Sequence, residues 1–277
     1  MFGAILGDII GSPFEFMHTQ PQSKDFNLFS KACRYTDDSV MTCAIADGLM
    51  NVDLSLDDNA IRQRLLQSVL KWGRAYPHAG YGGMFRHFLA SDNPRAYNSF
   101  GNGSAMRVSS VAWIGQTLDE VLHLAKLSAE ISHNHPEGVK GACAVAAAIF
   151  MARNGDDKSK IKTYIEQQFG YNLSATAEEI RTKYRLGASN PVACQVSVPD
   201  AMIGFLMGEN FEDAIRTTIS FGGDTDTTGA ICGSIAEAFF GIPDELKNKV
   251  FNFLPDDLAQ IVRNFAQRYQ SSLFQAA

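Results

Sequence analysis

Two short stretches of this chain carry more side-chain oxygen than an ordinary helix start needs. The first is Ser220-Phe-Gly-Gly-Asp-Thr-Asp-Thr-Thr-Gly-Ala230, in which Gly222 and Gly223 precede Asp224, Asp226, Thr227 and Thr228. Its two carboxylates lie two residues apart with hydroxyls between them, where one helix should end and the next begin. Such a turn aims several oxygens at one point, a donor set that suits a hard cation such as Mg²⁺. An N-cap accounts for one Asp or Thr there, but leaves the second carboxylate unexplained. The other stretch is Thr36-Asp37-Asp38-Ser39, ahead of Val40, Met41, Ala44, Ile45 and Leu49 at helical apolar spacing. Adjacent carboxylates repel unless solvent, a cation or basic side chains separate their charge. Taken singly, each cluster is equally an acidic first turn favoured by the helix field. Folded against each other, they form a cage for one or two Mg²⁺ ions.

The elements that must position these clusters read as helices. Residues 2–13 form an apolar helix in which Gly3, Gly7 and Gly11 recur every fourth residue. Glycine weakens a helix, so this smooth face needs a packing or functional reason. Asp8 is the one carboxylate in that helix, suited to a nearby helix terminus or to support of a polar site. Pro13 should disturb the helix end, leaving Glu15 on a loop and 17–35 irregular. Further helices are predicted at 38–50, 59–75, 103–114, 118–131, 137–152, 157–168, 176–184, 198–208, 211–220, 226–240 and 256–270. The Ala-rich piece Gly141 to Phe150 is apolar all round and should be central. Cys194-Gln-Val-Ser-Val198 is the sole strand candidate. No linker or low-complexity tract divides the chain, so one all-α domain over residues 1–277 is expected.

Composition narrows the function classes. The 277 residues are 45% hydrophobic and 19% charged, the balance of a globular chain rather than a disordered one. A net charge of -6 with no basic tract argues against a nucleic-acid footprint. The five Cys are scattered, with neither a paired framework nor a zinc spacing, which fits packed thiols in a reducing cytoplasm. Met1 to Ile10 is apolar but lacks a basic flank, and Asp8 and the glycines break a signal-peptide pattern. No apolar run of about 20 residues follows, so no membrane span is expected. A soluble cytoplasmic monomer is the expectation.

Ser99-Phe-Gly-Asn-Gly-Ser-Ala-Met-Arg107 has the permissive glycines of a ligand loop without the Gly-Lys-Ser/Thr ending of a nucleotide loop. Gly101 and Gly103 let backbone amides approach a phosphate or ribose, and Ser104 opens a helix; a tight turn with a cap fits as well. Phe100 is placed to stack on a base or simply to pack. Arg107, between apolar neighbours, is expected to pair with one of the acidic groups. Ser132-His-Asn-His-Pro136 ends a helix. Its two histidines lack further zinc ligands, which leaves a cap or a ligand contact by His133. Tyr76-Pro-His-Ala-Gly-Tyr-Gly-Gly83 is a loop suited to lining or covering a pocket.

In combination these motifs closely resemble the ADP-ribosylglycohydrolase family, which includes ADP-ribosyl-arginine hydrolases and dinitrogenase-reductase-activating glycohydrolases. The resemblance runs through Gly3-Ala-Ile-Leu-Gly-Asp8, Glu15, Thr36-Asp37-Asp38, Gly101-Asn-Gly-Ser-Ala-Met-Arg107, Ser132-His133 and Gly222-Gly-Asp-Thr-Asp-Thr227. It implies a compact all-α fold, two Mg²⁺ ions, and release of ADP-ribose from arginine, serine or other acceptors on a protein or small molecule. By motif, Thr36, Asp37, Asp38, Asp224, Asp226 and Thr227 are the implied metal ligands. Glu15 resembles a glutamate that approaches the metals or the reacting water from a mobile loop, and Asp8 a support behind them. Phe100, Gly101, Asn102, Gly103, Ser104, Met106 and His133 are the implied substrate contacts. Two positions depart from the family pattern. Ser39 stands where many members have Thr, and Ser110 where many have Pro.

The implied reaction cleaves the C1″ bond of the distal ribose, with charge developing at the anomeric carbon. Glu15, Asp37 and Asp38 are the implied catalytic carboxylates. Two other functions use the same residues. One is a Mg²⁺-dependent phosphohydrolase of a nucleotide-like ligand, which would yield AMP and ribose phosphate. The other is a binding protein that holds ADP-ribose without turnover.

Overall fold

A computed structural model describes residues 1–16 and 23–270; residues 17–22 of the expected irregular segment lie outside the described residues. Among the described residues the regular elements are helices, joined by irregular loops. In order, the helices are α1 (Phe2–Gly11), α2 (Asp37–Met50), α3 (Asp58–Ala75), α4 (Gly83–Ala90), α5 (Gly103–Met106), α6 (Val111–Ile114), α7 (Leu118–Glu130) and α8 (Pro136–Arg153). They continue with α9 (Lys158–Phe169), α10 (Ala177–Arg185), α11 (Cys194–Met207), α12 (Phe211–Ile219), α13 (Thr225–Phe240), α14 (Asp244–Val250) and α15 (Asp256–Tyr269). The Ala-rich α8 is central as its composition predicts, with Ala142 and the run Ala144 to Ile149 fully buried.

The glycine stripe of α1 has a packing reason. A Cβ at Gly7 would lie 1.9 Å from the Gly229 carbonyl oxygen, and one at Gly3 2.0 Å from that of Gly233. At Gly11 it would lie 2.2 Å from the carbonyl oxygen of Thr225. Backbone therefore meets backbone along the α1–α13 crossing, and no side chain fits between. This seam lays Asp8 and the 3₁₀ turn Ser12–Phe14 that leads to Glu15 beside the N-terminus of α13. Pro13 sits in that turn, where the α-helix has already ended.

Three local expectations need correction. Cys194 to Val198 is not a strand but the first turns of α11; extended pairing stops at an isolated bridge between Gly101 and Ala193. The Val-Ser-Val alternation is too short to separate strand from buried helix, and packing of the Cys194 thiol against Gly141 decides it. The predicted helix 103–114 is broken into α5, a 3₁₀ turn at Val108–Ser110, and α6. Among the described residues, Arg107, at the break, pairs with no carboxylate. Its Nη2 donates to the Ser128 carbonyl at 2.8 Å and to Ser132 Oγ at 2.9 Å, so the backbone turns to deliver a fully buried guanidinium to the end of α7.

The seam gives a stability prediction. Gly7→Ala forces α1 and α13 apart and should cost at least the 1–3 kcal/mol or so of an overpacked core. Gly82→Ala, where a Cβ meets nothing within 4 Å, should stay within about 0.5 kcal/mol. Urea denaturation of both variants checks this, and equal losses would contradict the seam.

Candidate metal centre and ligand cavity

The acidic centre is assembled by three helix termini. Asp8, buried in α1, accepts hydrogen bonds from the Thr36 amide at 3.0 Å, Thr36 Oγ1 at 2.8 Å and the Ser39 amide at 3.1 Å. The Ser39 hydroxyl donates to the same carboxylate, so the serine that departs from the family pattern uses its hydroxyl here. Asp8 thereby satisfies the free amides of α2 from outside that helix, and both its oxygens are engaged. This fixes Asp37 and Asp38 at the start of α2. The Asp37 amide donates to the Ala79 carbonyl at 2.9 Å, tying α2 to the glycine-rich 76–83 loop.

Asp224 precedes α13 yet makes no capping bond with its side chain. Asn102 Nδ2 donates to its Oδ2 at 2.7 Å, joining the glycine loop to the acidic centre. Thr227 Oγ1 donates to Asp38 Oδ2 at 3.2 Å, bridging the two clusters, while Asp38 Oδ1 is buried without a partner. Glu15, Asp224 and Asp226 each offer a carboxylate oxygen within 4.8 Å of the others. Among the described residues, the one basic group within 4.0 Å of these carboxyls is Arg34, whose Nη2 lies 4.0 Å from Glu15 Oε2. An all-oxygen set, an orphaned buried carboxylate oxygen and almost no countercharge fit a hard cation.

The electrostatics agree. Burial, followed by the charges of Asp8 and Asp224, pushes Asp37 up to about 8. Burial and then Asp224 push Glu15 up to about 7. Asp38 and Asp226 rise well above the usual carboxylate range, again through burial first and neighbouring carboxylates second. Burial takes Asp8 up to about 6 against the hydrogen bonds from Ser39 and Thr36. Without a cation, this centre retains protons at neutral pH.

A cavity of about 460 Å³ opens from the centre. Its walls include Glu15, Asp37, Asp38, Asp224, Asp226 and Thr227 at one end and Gly101, Asn102, Gly103, Met106 and His133 along its length. The 76–83 loop contributes Gly80, Gly82 and Gly83, so that loop lines the cavity. Thr36, Phe100 and Ser104 are not in the wall. Thr36 Oγ1 is engaged with Asp8, Ser104 Oγ donates to the Gly138 carbonyl at 2.8 Å, and the Phe100 ring packs edge-on against His135. Phe16, Met84, Phe85, Tyr97 and Val192 line the cavity without a motif to announce them. Glycines beside Met84 and Phe85 were the only local signal.

The two histidines have separate tasks. His135 Nδ1 accepts from the Glu137 amide at 3.1 Å and caps α8. His133 packs between Tyr97 and Phe85 and faces the cavity. Ser132 Oγ accepts from Arg107 and lies 2.8 Å from His133 Nδ1, and assigning the buried hydroxyl proton to that nitrogen gives it an acceptor among the described residues. In that tautomer Nε2 carries the imidazole proton, and it points toward Gly103, where a Cβ would lie 2.9 Å away. Burial and then the Arg107 charge hold His133 well below its ordinary value, leaving it a neutral donor.

The retained protons have a measurable consequence. A carboxyl whose pKa is raised by folding stabilises the fold below its unfolded value, and that stability is lost as pH rises through the folded value. Between about pH 6.5 and 8 the folded Glu15 and Asp37 release protons the unfolded chain has already lost, and the upward shifts of Asp38 and Asp226 act in the same direction, against the oppositely shifted N-terminal amine. Thermal melts of chelator-treated protein should show a falling Tm across that window. The fall should be shallower in Asp37→Asn; a flat or rising wild-type profile would contradict the electrostatics.

Known proteins resemble this chain over most of its length. The family model described as ADP-ribosylglycohydrolase matches residues 1–273. The chain is 27% identical to ADP-ribosylhydrolase ARH3 of Homo sapiens, over 87% of this chain and 84% of that protein. It is 26% identical to ADP-ribosyl-[dinitrogen reductase] glycohydrolase of Rhodospirillum rubrum, over 87% of this chain and 84% of that one. A solved structure titled ADP-ribosylglycohydrolase-related protein complex shares the fold, with a TM-score of 0.66 at 20% identity over 96% of both chains. The expected fold class stands, and the chain belongs to the ADP-ribosylglycohydrolase family.

Proposed function

We propose that this protein is a Mg²⁺-dependent ADP-ribosyl glycohydrolase that releases ADP-ribose by cleaving the C1″ bond to its acceptor, protein-linked arginine among the acceptors to test. The observation that carries the reading is the meeting of half-buried Glu15 with buried Asp224 and Asp226 at one end of a ligand-sized cavity, with the Oδ1 of Asp38 unpartnered beside them. Thr36, Asp37, Asp38, Asp224, Asp226 and Thr227 are the proposed ligands of two Mg²⁺ ions. Of these, Thr36 serves with whatever capacity its contacts to Asp8 and the Asp38 amide leave free. Bound there, Mg²⁺ supplies Lewis-acid polarisation and a lowered pKa for water.

The chain's own groups do the rest. Gly101 and Gly103 let the backbone approach the diphosphate and ribose oxygens, and Asn102 holds Asp224 toward the distal ribose. His133 Nε2–H donates to an acceptor atom at the adenosine end, flanked by the Phe85 and Tyr97 rings. Water adds to C1″ as the acceptor departs. The water proton passes to Glu15 or Asp38 and from there to the departing acceptor, so that the water OH ends on C1″ and its H on the leaving group. Met106 packs beneath Thr227, its sulfur 3.8 Å from Thr227 Oγ1.

Product identity is the test. Peptides carrying arginine-, serine- and acid-linked ADP-ribose, incubated with Mg²⁺, should yield intact ADP-ribose from at least one linkage. Asp226→Ala should reduce that turnover by more than the roughly 10–100-fold typical of losing an outer partner of a metal ligand. AMP with ribose phosphate would make the protein a phosphohydrolase. Tight ADP-ribose binding with no turnover of any linkage would make it a binding protein.

A further inference from the structure

Helix α10 is an anomaly in this fold. It is short and polar, opens with a complete capping box at Thr176 and Glu179, and buries only Ile180 completely. A helix with so little apolar face contributes little to a core. Its other contacts converge on one place. Arg181 Nε donates to the Ser220 carbonyl at 3.1 Å and its Nη2 to Ser220 Oγ at 2.9 Å. The ring of Tyr184 packs against Gly223, where a Cβ would meet Cε1 at 2.6 Å. The Tyr184 hydroxyl donates to buried Asp200 on α11, and Lys183 Nζ donates to both oxygens of that carboxylate at 2.8 and 2.6 Å.

These contacts bracket the turn that delivers the acidic centre. Gly223 has φ +81°, a conformation only glycine adopts without strain, and with no Cβ of its own it is backed by the tyrosine ring. On its other side, the Gly223 carbonyl accepts from the Phe16 amide at 2.9 Å, next to Glu15. Asp224 follows directly. One turn thus ties Glu15, which comes from the α1 side, to Asp224 and Asp226 of α13, and α10 presses on that turn from behind.

We infer that α10 is a brace for the metal centre, in which Tyr184, held by Asp200 and Lys183, and Arg181 are positioning residues that fix the 220–224 turn and through it Glu15. None of them lines the cavity, so they act through Gly223 and Ser220. Conservation of the ring matters more than the hydroxyl: Tyr184→Phe keeps the wall behind Gly223 and loses only the tether to Asp200. The metal consequence rests on the Mg²⁺ reading proposed above; the mechanical one does not.

Two readouts separate these. Calorimetry with Mg²⁺ alone should show affinity about 10–100-fold weaker in Tyr184→Ala, the range for losing an outer partner that orients metal ligands, with a smaller loss in Tyr184→Phe. Turnover at saturating Mg²⁺ should recover far more than affinity does. Hydrogen exchange should be faster at the Phe16 amide in Tyr184→Ala and near wild type in Tyr184→Phe. Tyr164→Ala, which removes a half-buried ring packed on Phe169 of α9, controls for general loosening and should change neither readout. Unchanged exchange at Phe16 in Tyr184→Ala, or equal changes in Tyr164→Ala, would overturn the brace. A wild-type protein that binds no Mg²⁺ would overturn the metal reading instead, with the exchange comparison still deciding the brace.

Discussion

Like charges crowd one buried space in this fold, and most of its unusual features follow from holding them there. Two ionised carboxylates about 5 Å apart repel by roughly 3 kcal/mol at the effective dielectric of a protein site. Asp8, Glu15, Asp37, Asp38, Asp224 and Asp226 make several such pairs, against a total stability of about 5–15 kcal/mol for a typical domain. The metal-free fold keeps protons on some of them, and a hard cation relieves the repulsion without those protons. Either way, the backbone must withstand a local force that pushes its three helix termini apart.

The architecture answers that force at several points. Glycines 3, 7 and 11 press α1 against the α13 backbone, so the helix bearing Asp8 cannot drift from the helix bearing Asp226. Asp8 then binds the start of α2 through two amides and two hydroxyls, which spreads its charge into the terminus that carries Asp37 and Asp38. Asn102 draws off part of the Asp224 charge from the cavity side. Farther along the cavity the balance reverses. Among the described residues Arg107 is buried without a carboxylate partner, and burial, followed by the Arg107 charge, keeps His133 neutral.

The acidic centre was legible because its residue types repeat at spacings that caps do not need, and the glycine stripe of α1 because small residues every fourth position form a face. What escaped were relations between distant segments. No local pattern says that Ser132 hydrogen-bonds the ring of His133, that Val192 reaches the cavity wall, or that Tyr184 packs on Gly223. A buried cation ordinarily has an acid partner, which is what the sequence suggests for Arg107. Its Nη2 instead meets the buried Ser128 carbonyl near the C-terminus of α7, where the helix end substitutes for a charge. Ser110 is buried with an unpartnered hydroxyl inside the broken 103–114 segment, and its presence there has no structural explanation.

If the acidic centre exists to hold a cation, neutralising one of its carboxylates should help the empty protein and harm the loaded one. The unfolding free energy of Asp38→Asn, measured in urea with chelator and again with excess Mg²⁺, tests this directly. Asparagine is neutral without having to hold a proton that the unfolded chain has given up, so without metal at neutral pH the variant should be more stable than the wild type. With Mg²⁺ the order should invert, because the wild type gains the binding energy that the variant loses. A variant less stable than the wild type by the same margin in both conditions would contradict the account, and would return Asp38 to the role of an ordinary helix-terminal acid.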